Sequence, residues 1–526
     1  MQPAREELLD RIEGSAQLDL VVIGGGATGL GVALDAAARG LSVALVEAED
    51  FAKGTSSRAT KLVHGGVRYL AQGDIGLVRE ALRERSLLLH NAPHLAQPLP
   101  LLLPLHGARG RWLEGPFYGA GLVLYDLLAG NRRLQRTEFL GAARAAEAAP
   151  GLRAPALAGA IRYWDGQFDD ARLAVALART AIQRGALVLN HCPAVGLLHD
   201  EGRVAGVLAE DRETGTRHAL RARCVINATG VWVDGVRGMD RPGCSALVAP
   251  SQGVHLVVER DFFPGDHAML VPKTRDGRVL FAVPWLGKVI LGTTDTPRSD
   301  LAAEPEPFRE EVDFILGEAG RYLARAPARA DIRSVWVGLR PLVRPPDQEP
   351  GETKTLSREH AVLVERSGLV TVTGGKWTTY RAMAEDVLAH AMAAGLLPPR
   401  AAGVTRALPL AGAPTSGTRP LSAAPGPHLY GSEAPLLASL PGADREIAPG
   451  VSEAMVRFAA RYEYARTVED VLARRARLLF LDARAAAAAA PRVAGLLAEE
   501  LGAAIDAERS LREFTALAAR YAAVPQ

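Results

Sequence analysis

A chain of 526 residues is too long for a single core and sets an expectation of about three to four domains, or two to three if α/β domains run large. Its 48% hydrophobic and 23% charged residues are ordinary for globular proteins and exclude a disordered or fibrous chain. Sixty-one Lys and Arg nearly balance fifty-nine Asp and Glu, and no long basic block or basic amphipathic helix with interleaved aromatics occurs, which excludes a nucleic-acid binder.

The N-terminal stretch is charged and lacks an apolar h-region. No uninterrupted apolar run of about 18 residues occurs anywhere, so neither a secretory signal nor a spanning helix is expected. Cys192, Cys224 and Cys244 lack C-x-x-C spacing, so neither a disulfide framework nor a metal site is indicated, and a reducing compartment fits.

Residues 19–47, DLVVIGGGATGLGVALDAAARGLSVALVE, read as an apolar strand, a glycine turn, a helix and a second apolar strand. Gly24, Gly26 and Gly29 have the G-x-G-x-x-G spacing of a dinucleotide site. The first glycine allows the tight turn, the second the approach of a pyrophosphate, and the third close packing of helix on strand. Glu47, 18 residues after Gly29, is placed to accept hydrogen bonds from a ribose diol. No cation follows it to greet a 2′-phosphate, which argues against NADP and leaves FAD or NAD. With no second fingerprint in a βαβ setting, one buried dinucleotide is the simpler reading.

The polar, glycine-rich loop 51–70 ends with His64, Arg68 and Tyr69 close together and suits a site more than a core. Asp74–Asn91 has helical apolar spacing with Arg79, Arg83 and Arg85 outward. Two greasy segments follow, Leu95–Leu105 with three prolines and Gly115–Gly130 with Asp126 as its only charge; buried core is the preferred reading over an interfacial membrane contact. Residues 169–190 read as helix, glycine stop and strand. Strands at Val204–Leu208 and Cys224–Asn227 follow, the latter opening into the small-residue turn of VINATG, where backbone can approach a cofactor.

From Ser251 to Asp295 short alternating runs between Gly, Pro and Asp turns indicate an antiparallel sheet. A helix is expected near Pro307–Ala326, a strand at Ser334–Val337, a turn-strand at Gly338–Pro346, a strand at Leu369–Thr373 closed by Gly374-Gly375-Lys376, and a helix over Thr378–Ala393. Leu408–Asp444, dense in Pro, Gly, Ser and Ala, reads as a domain boundary or ordered linker. Beyond it the chain is helical: Thr467 and Asp470 open a segment like a capping box, with Val468, Val471, Leu472, Leu478 and Leu479 as an apolar stripe and arginines outside.

These motifs, together with TSSRATKLVHGGVRYL, NATGVW, ILGTTD, GLRPL, TGGKWTTYR and RTVEDVLARRARLLFLDAR, closely resemble FAD-dependent glycerol-3-phosphate dehydrogenase of the respiratory type and its oxidase relatives, over nearly the whole chain. The resemblance implies an α/β fold with a glutathione-reductase-like FAD domain, an inserted mixed or antiparallel-sheet substrate domain and a C-terminal helical domain. The boundaries expected are 17–90 with 165–245 and 355–400 for the FAD domain, 91–164 with 246–354 for the substrate domain, a linker over 408–444, and helices over 445–526. It implies FAD, hydride removal from glycerol 3-phosphate, electrons passed to a membrane quinone, and a cytoplasmic protein held peripherally on the inner face of the membrane. The C-terminal helices either cap a monomer or face a homodimer partner. No EF-hand loop follows them, so calcium regulation is not expected.

On that resemblance the cofactor residues are Gly24, Gly26, Gly29, Glu47, Thr55, Ser56, Ser57, Lys61, Gly65, Ala228, Gly230, Gly375, Lys376 and Thr378. With no His or Cys in an obvious flavinylation motif, FAD is expected to be non-covalent. A dianionic phosphate needs convergent cations, and Arg340, Arg358 and Lys376 are the candidates, with Arg68 and Tyr69 completing the substrate set. Removing the hydroxyl proton needs a base, for which His64 and His255 qualify, while Arg340 offsets alkoxide charge. Alternatives are an oxidase passing electrons to O2, an amine or amino-acid oxidase on the same fold, and a non-catalytic FAD-binding assembly protein.

Overall fold

The structure is a computed structural model that describes residues 4–14, 17–70, 73–275, 277–344, 359–414 and 417–525. Its strands are β1 (Leu18–Ile23), β2 (Val43–Val46), β3 (Leu62–Val63), β4 (Ala96–His106), β5 (Glu138–Gly141), β6 (Leu157–Phe168), β7 (Leu187–Leu189), β8 (Ala194–Asp200) and β9 (Arg203–Glu210). There follow β10 (Arg217–Asn227), β11 (Val248–Glu259), β12 (Ala268–Val271), β13 (Leu280–Trp285), β14 (Lys288–Gly292), β15 (Thr296–Pro297), β16 (Ser334–Val343), β17 (His360–Val364) and β18 (Leu369–Gly374).

The first sheet runs β17-β18-β10-β1-β2-β7, with β18, β10, β1, β2 and β7 parallel and β17 antiparallel at the edge. Parallel strands are covered on both faces, which explains why β1 and β2 are nearly unbroken Val, Leu and Ile. Helices Ala27–Ala38, Asp170–Gln183 and Tyr380–Ala393 supply one core, and helix Arg5–Glu13 packs into another with the meander β8-β9-β10. Strand order reverses about β1, where Ile23 pairs with Val46 on one side and Asn227 on the other. A crevice at such a switch point is where ligands bind in open α/β sheets.

The second sheet runs β15-β11-β14-β13-β12-β4-β6-β3, with β16 on β11 and β5 on β6. Some elements differ from expectation. The helix near Pro307–Ala326 is Arg309–Tyr322, and β16 passes without a break through Gly338, because Gly338 sits in register opposite Gly253. The second sheet recruits β3 from the segment expected to be wholly FAD domain, and β6 runs through the expected boundary at 164. Residues 345–358, including Arg358, lie outside the described chain.

Beyond the two sheets, helices Glu453–Tyr462, Leu478–Leu481, Ala483–Leu501 and Ala507–Ala522 share a core with one face of the second sheet. The capping box is present: Asp470 N donates to Thr467 Oγ1 at 3.1 Å and Thr467 N donates to Asp470 Oδ2 at 3.1 Å. Of the arginines expected outward, Arg484 is exposed and three others are not. Arg474, Arg475 and Arg477 are buried, because acids of the first sheet's domain meet them: Asp50 pairs with Arg474 and Arg475, and Asp170 with Arg477 at 2.9 Å. Arg85 is likewise buried, on Asp165 at 2.8 Å, against the expectation for its helix. Described residues of 408–444 are packed despite their composition: Leu408 and Leu410 join the first-sheet core, while Leu421, Leu429 and Tyr430 join the second.

The greasy segments part company. Leu95–Leu105 is core strand, as expected, whereas Gly115–Ala129 is a helix that leaves Phe117 68% and Leu127 69% exposed, continuous with Trp112 at 69%. Buried core is therefore the wrong reading of the second segment. Its apolar residues recur all round the helix, and only one side meets protein.

Candidate active site

A cavity of about 480 Å³ opens at the carboxyl ends of β1, β2, β10 and β18. Gly24, Gly26, Glu47, Thr55, Ser56, Ala228, Gly230, Gly375 and Lys376 of the expected cofactor set line it. Gly24 has φ +111°, and a Cβ there would lie 2.7 Å from Ala228 O. Helix Ala27–Ala38 starts at the cavity with Gly26 as N-cap and no acid in its first turn, and Ala27 N donates to Ser56 Oγ at 2.9 Å. Its positive end is thus left for an anion. At the other end of the glycine turn Glu47 accepts from Gly25 N at 2.6 Å and Glu49 N at 2.9 Å, and burial pushes its carboxyl pKa up. Glycine turn, helix N-terminus and oriented acid together fit a dinucleotide such as FAD.

The remaining predicted cofactor residues stand behind this lining. A Cβ on Gly29 would lie 1.9 Å from Gly24 O, so Gly29 serves helix packing. Gly65 N donates to Tyr125 Oη at 2.7 Å, Ser57 is buried, and Thr378 Oγ1 accepts from His64 N at 3.3 Å. Lys61 is fully buried: it donates to Asp170 at 2.7 Å and Ser57 O at 2.8 Å and lies 4.5 Å from the Trp336 ring centroid. Burial pulls its pKa down to about 7.

The substrate side is built by β11 and β16. Register pairs Ser251 with Arg340, Gly253 with Gly338 and His255 with Trp336, so these six share a face, and Gly292 of β14 adjoins His255. The glycine lane is required. A Cβ on Gly253 would lie 2.4 Å from Arg340 Nη2, on Gly292 2.7 Å from His255 Cδ2, and on Gly338 3.0 Å from Arg58 Cβ. Arg58 belongs to the cofactor loop, whose Thr55 Oγ1 also donates to Leu339 O at 2.5 Å. Two domains are thereby joined at the site.

Arg340 donates to Thr293 Oγ1 at 3.1 Å, Thr294 O at 2.9 Å and Gln252 O at 3.3 Å, and lies 3.4 Å from Asp295. Its neighbour Pro341 lines the cofactor cavity. His255 is buried, stacks on Trp336 at 4.1 Å, and shares a 2.9 Å hydrogen bond between Nε2 and Thr60 Oγ1. Burial, with Lys61 and Arg340 nearby, drives its pKa far below the usual value, so the imidazole is neutral. A second group gathers His64, Tyr69 and Lys376: Lys376 Nζ sits 3.7 Å from the Tyr69 ring centroid, and Gly66, at φ +75°, brings the ring over the turn after His64. Arg68 falls in helix Val67–Leu70 with its side chain outside the description.

Sequence reasoning missed Thr60, Trp336, Thr293 and Trp377. Each lies within or beside a quoted motif, but only register shows that Trp336 stacks on His255 and only packing that Trp377 Nε1 donates to Ser56 O at 2.8 Å. Asp50, His191 and Asp470 could geometrically ligate a metal, but Arg474 and Arg475 already neutralise them.

The cavity and its glycine turn define an FAD-dependent oxidoreductase, and the family model described as FAD dependent oxidoreductase matches residues 19–381. A second, the C-terminal domain of alpha-glycerophosphate oxidase, matches residues 403–508. The mitochondrial glycerol-3-phosphate dehydrogenase of Homo sapiens is 42% identical over 95% of this chain and 72% of its own, and that of Arabidopsis thaliana 41% over 94% and 85%. The solved structure of glycerol-3-phosphate dehydrogenase from Bacillus halodurans complexed with FAD matches with a TM-score of 0.78 and 30% identity, covering 99% of this chain and 98% of that one. The chain belongs to the FAD-dependent glycerol-3-phosphate dehydrogenase family, and its cofactor is FAD.

Proposed function

We propose that the enzyme oxidises sn-glycerol 3-phosphate to dihydroxyacetone phosphate and delivers the electrons to a membrane quinone. The carrying observation is that Arg340 and His255 share one face of β11 and β16, directly beside the cofactor cavity that Pro341 and Lys376 line. FAD supplies the two-electron acceptor at flavin N5 for the C2 hydride. Arg340, oriented by Thr293 and the backbone, offers its fork to the phosphate or to alkoxide charge. Lys376 adds the second cation.

Neutral His255, its Nε2 tied to Thr60, is available to accept the hydroxyl proton. His64 is the other base in reach of this reading, held by Thr378 through its backbone. Arg68, Tyr69 and Arg358 complete the proposed substrate set. A test of the phosphate reading compares glycerol 3-phosphate with glycerol: Arg340→Ala and Lys376→Ala should collapse the preference for the phosphate ester. A retained preference in both overturns the assignment.

The membrane reading draws on the exposed face of helix Gly115–Ala129 with Trp112, Phe117, Leu124 and Leu127. Exposed Arg109, Arg111, Arg132, Arg133 and Arg136 flank it, the pairing of apolar face and cations that suits an anionic bilayer surface. Among the described residues no helix is long and apolar enough to cross a membrane. That surface supports the proposed peripheral docking on the inner face of the cytoplasmic membrane, where quinone would enter from the bilayer. Stoichiometric peroxide in place of quinone reduction on liposomes would instead assign an oxidase.

A further inference from the structure

The segment Arg298–Phe308, between β15 and helix Arg309–Tyr322, has no regular structure of its own, yet it walls the cofactor cavity through Ala303. Such a strap stays where outside contacts hold it. Leu301 O accepts from Trp232 Nε1 at 3.0 Å, and Trp232 itself lines the cavity. Glu304 is the node. Its Oε1 accepts from Arg58 Nη2 at 2.5 Å, its Oε2 from Tyr521 Oη at 3.0 Å, and its backbone carbonyl from Arg520 Nη2 at 2.6 Å. Arg58 in turn donates to Val337 O of β16 at 3.1 Å. Arg520 Nε also reaches Glu306 at 3.1 Å.

One carboxylate thus joins the cofactor loop, the cavity wall and the last helix, Ala507–Ala522. The same helical domain touches the cavity a second time, where Lys53, which lines it, donates to Glu469 at 2.9 Å. Tyr521 is buried, and burial with Glu304 nearby raises its pKa, so the phenol stays a donor.

We propose that the terminal helix is the latch of a cofactor strap, with Glu304 the positioning residue that keeps Ala303 in the wall of the FAD cavity under the joint grip of Arg58, Arg520 and Tyr521. FAD retention is then set from outside the dinucleotide domain. Glu304 touches no reacting atom, and its effect is on cofactor exchange.

The test is the rate of FAD release from holoenzyme, followed as the rise in free-flavin fluorescence on dilution. Glu304→Ala should accelerate release about 10- to 150-fold, the range for losing a charge-assisted hydrogen bond, and Tyr521→Phe in the same direction by less. Arg509→Ala, which removes an exposed pair with Glu513 at the far end of the same helix, should leave release unchanged. Tyr521→Phe keeps the test informative if Glu304→Ala does not fold. Unchanged release in Tyr521→Phe and Glu304→Ala, with only a lower melting midpoint in saturating FAD, makes Glu304 merely structural and overturns the proposal. Equal acceleration by Arg509→Ala does the same.

Discussion

Asp170→Asn removes one charge from a fully buried polar node while keeping the side chain's shape. Asp170 is fully buried and accepts from Lys61 Nζ at 2.7 Å, Arg477 Nη2 at 2.9 Å and Ala59 N at 3.0 Å. Asn leaves two buried cations with a single neutral oxygen between them. Breaking a buried pair costs about 3–5 kcal/mol, and the lower end applies because Asp169 remains 3.3 Å from Arg477. The loss should depend on pH with a definite sign. Lys61 already titrates near 7, below its ordinary 10.5. Without Asp170 its folded pKa falls further, so between that lower value and about 7 the wild-type folded chain holds a proton that the folded variant does not, and the loss is largest below 7 and shrinks as pH rises through it. Urea unfolding at pH 6.5 and 9, followed by tryptophan and flavin fluorescence, reads both effects. A loss under about 1 kcal/mol, or one that does not shrink at pH 9, refutes the account of this node.

At the site, Lys376→Ala should cost about 10- to 150-fold in kcat/KM, mostly through KM, as expected for losing a charge-assisted phosphate contact. His255→Asn should lower kcat about 10²- to 10⁴-fold with KM little changed, and comparison with His64→Asn shows which imidazole takes the proton. Acid stability should depend on His94, whose pKa burial lowers from 6.5 to about 3. The folded protein resists protonating it, so its contribution is complete above pH 6.5 and disappears as pH falls towards 3. At 1.36 kcal/mol per unit this is at most about 5 kcal/mol, and an acid titration of His94→Gln should be correspondingly flatter. Acid precipitation should release free FAD to the supernatant, and yellow colour retained by the pellet would indicate a covalent link. Phe117→Ser with Leu127→Ser should reduce binding to anionic vesicles by at least about tenfold, since each fully buried side chain contributes about 1.5–3 kcal/mol.

What could be read from the chain was chemistry that backbone geometry demands locally. Gly24 and Gly26, their helix and Glu47 form a contiguous unit whose turn and spacing carry the reason for each residue, so the cavity they line was legible. Arg340 and Lys376 stood out because they fall in GLRPL and TGGKWTTYR, motifs that match the family. Long-range pairing was not legible. Arg474, Arg475 and Arg477 have the spacing of a solvated helical face and are buried only because Asp50 and Asp170 lie opposite, more than 300 residues earlier. The buried pairing of Lys61 with Asp170 was hidden for the same reason. The helix Gly115–Ala129 has core composition, and nothing local marks that no second layer covers it.

Anaerobic addition of glycerol 3-phosphate to the purified flavoprotein tests the central claim most directly. The account predicts bleaching of the oxidised flavin band with stoichiometric dihydroxyacetone phosphate, and little bleaching with glycerol. A flavin that stays oxidised with glycerol 3-phosphate but bleaches with an amino acid or amine would contradict it.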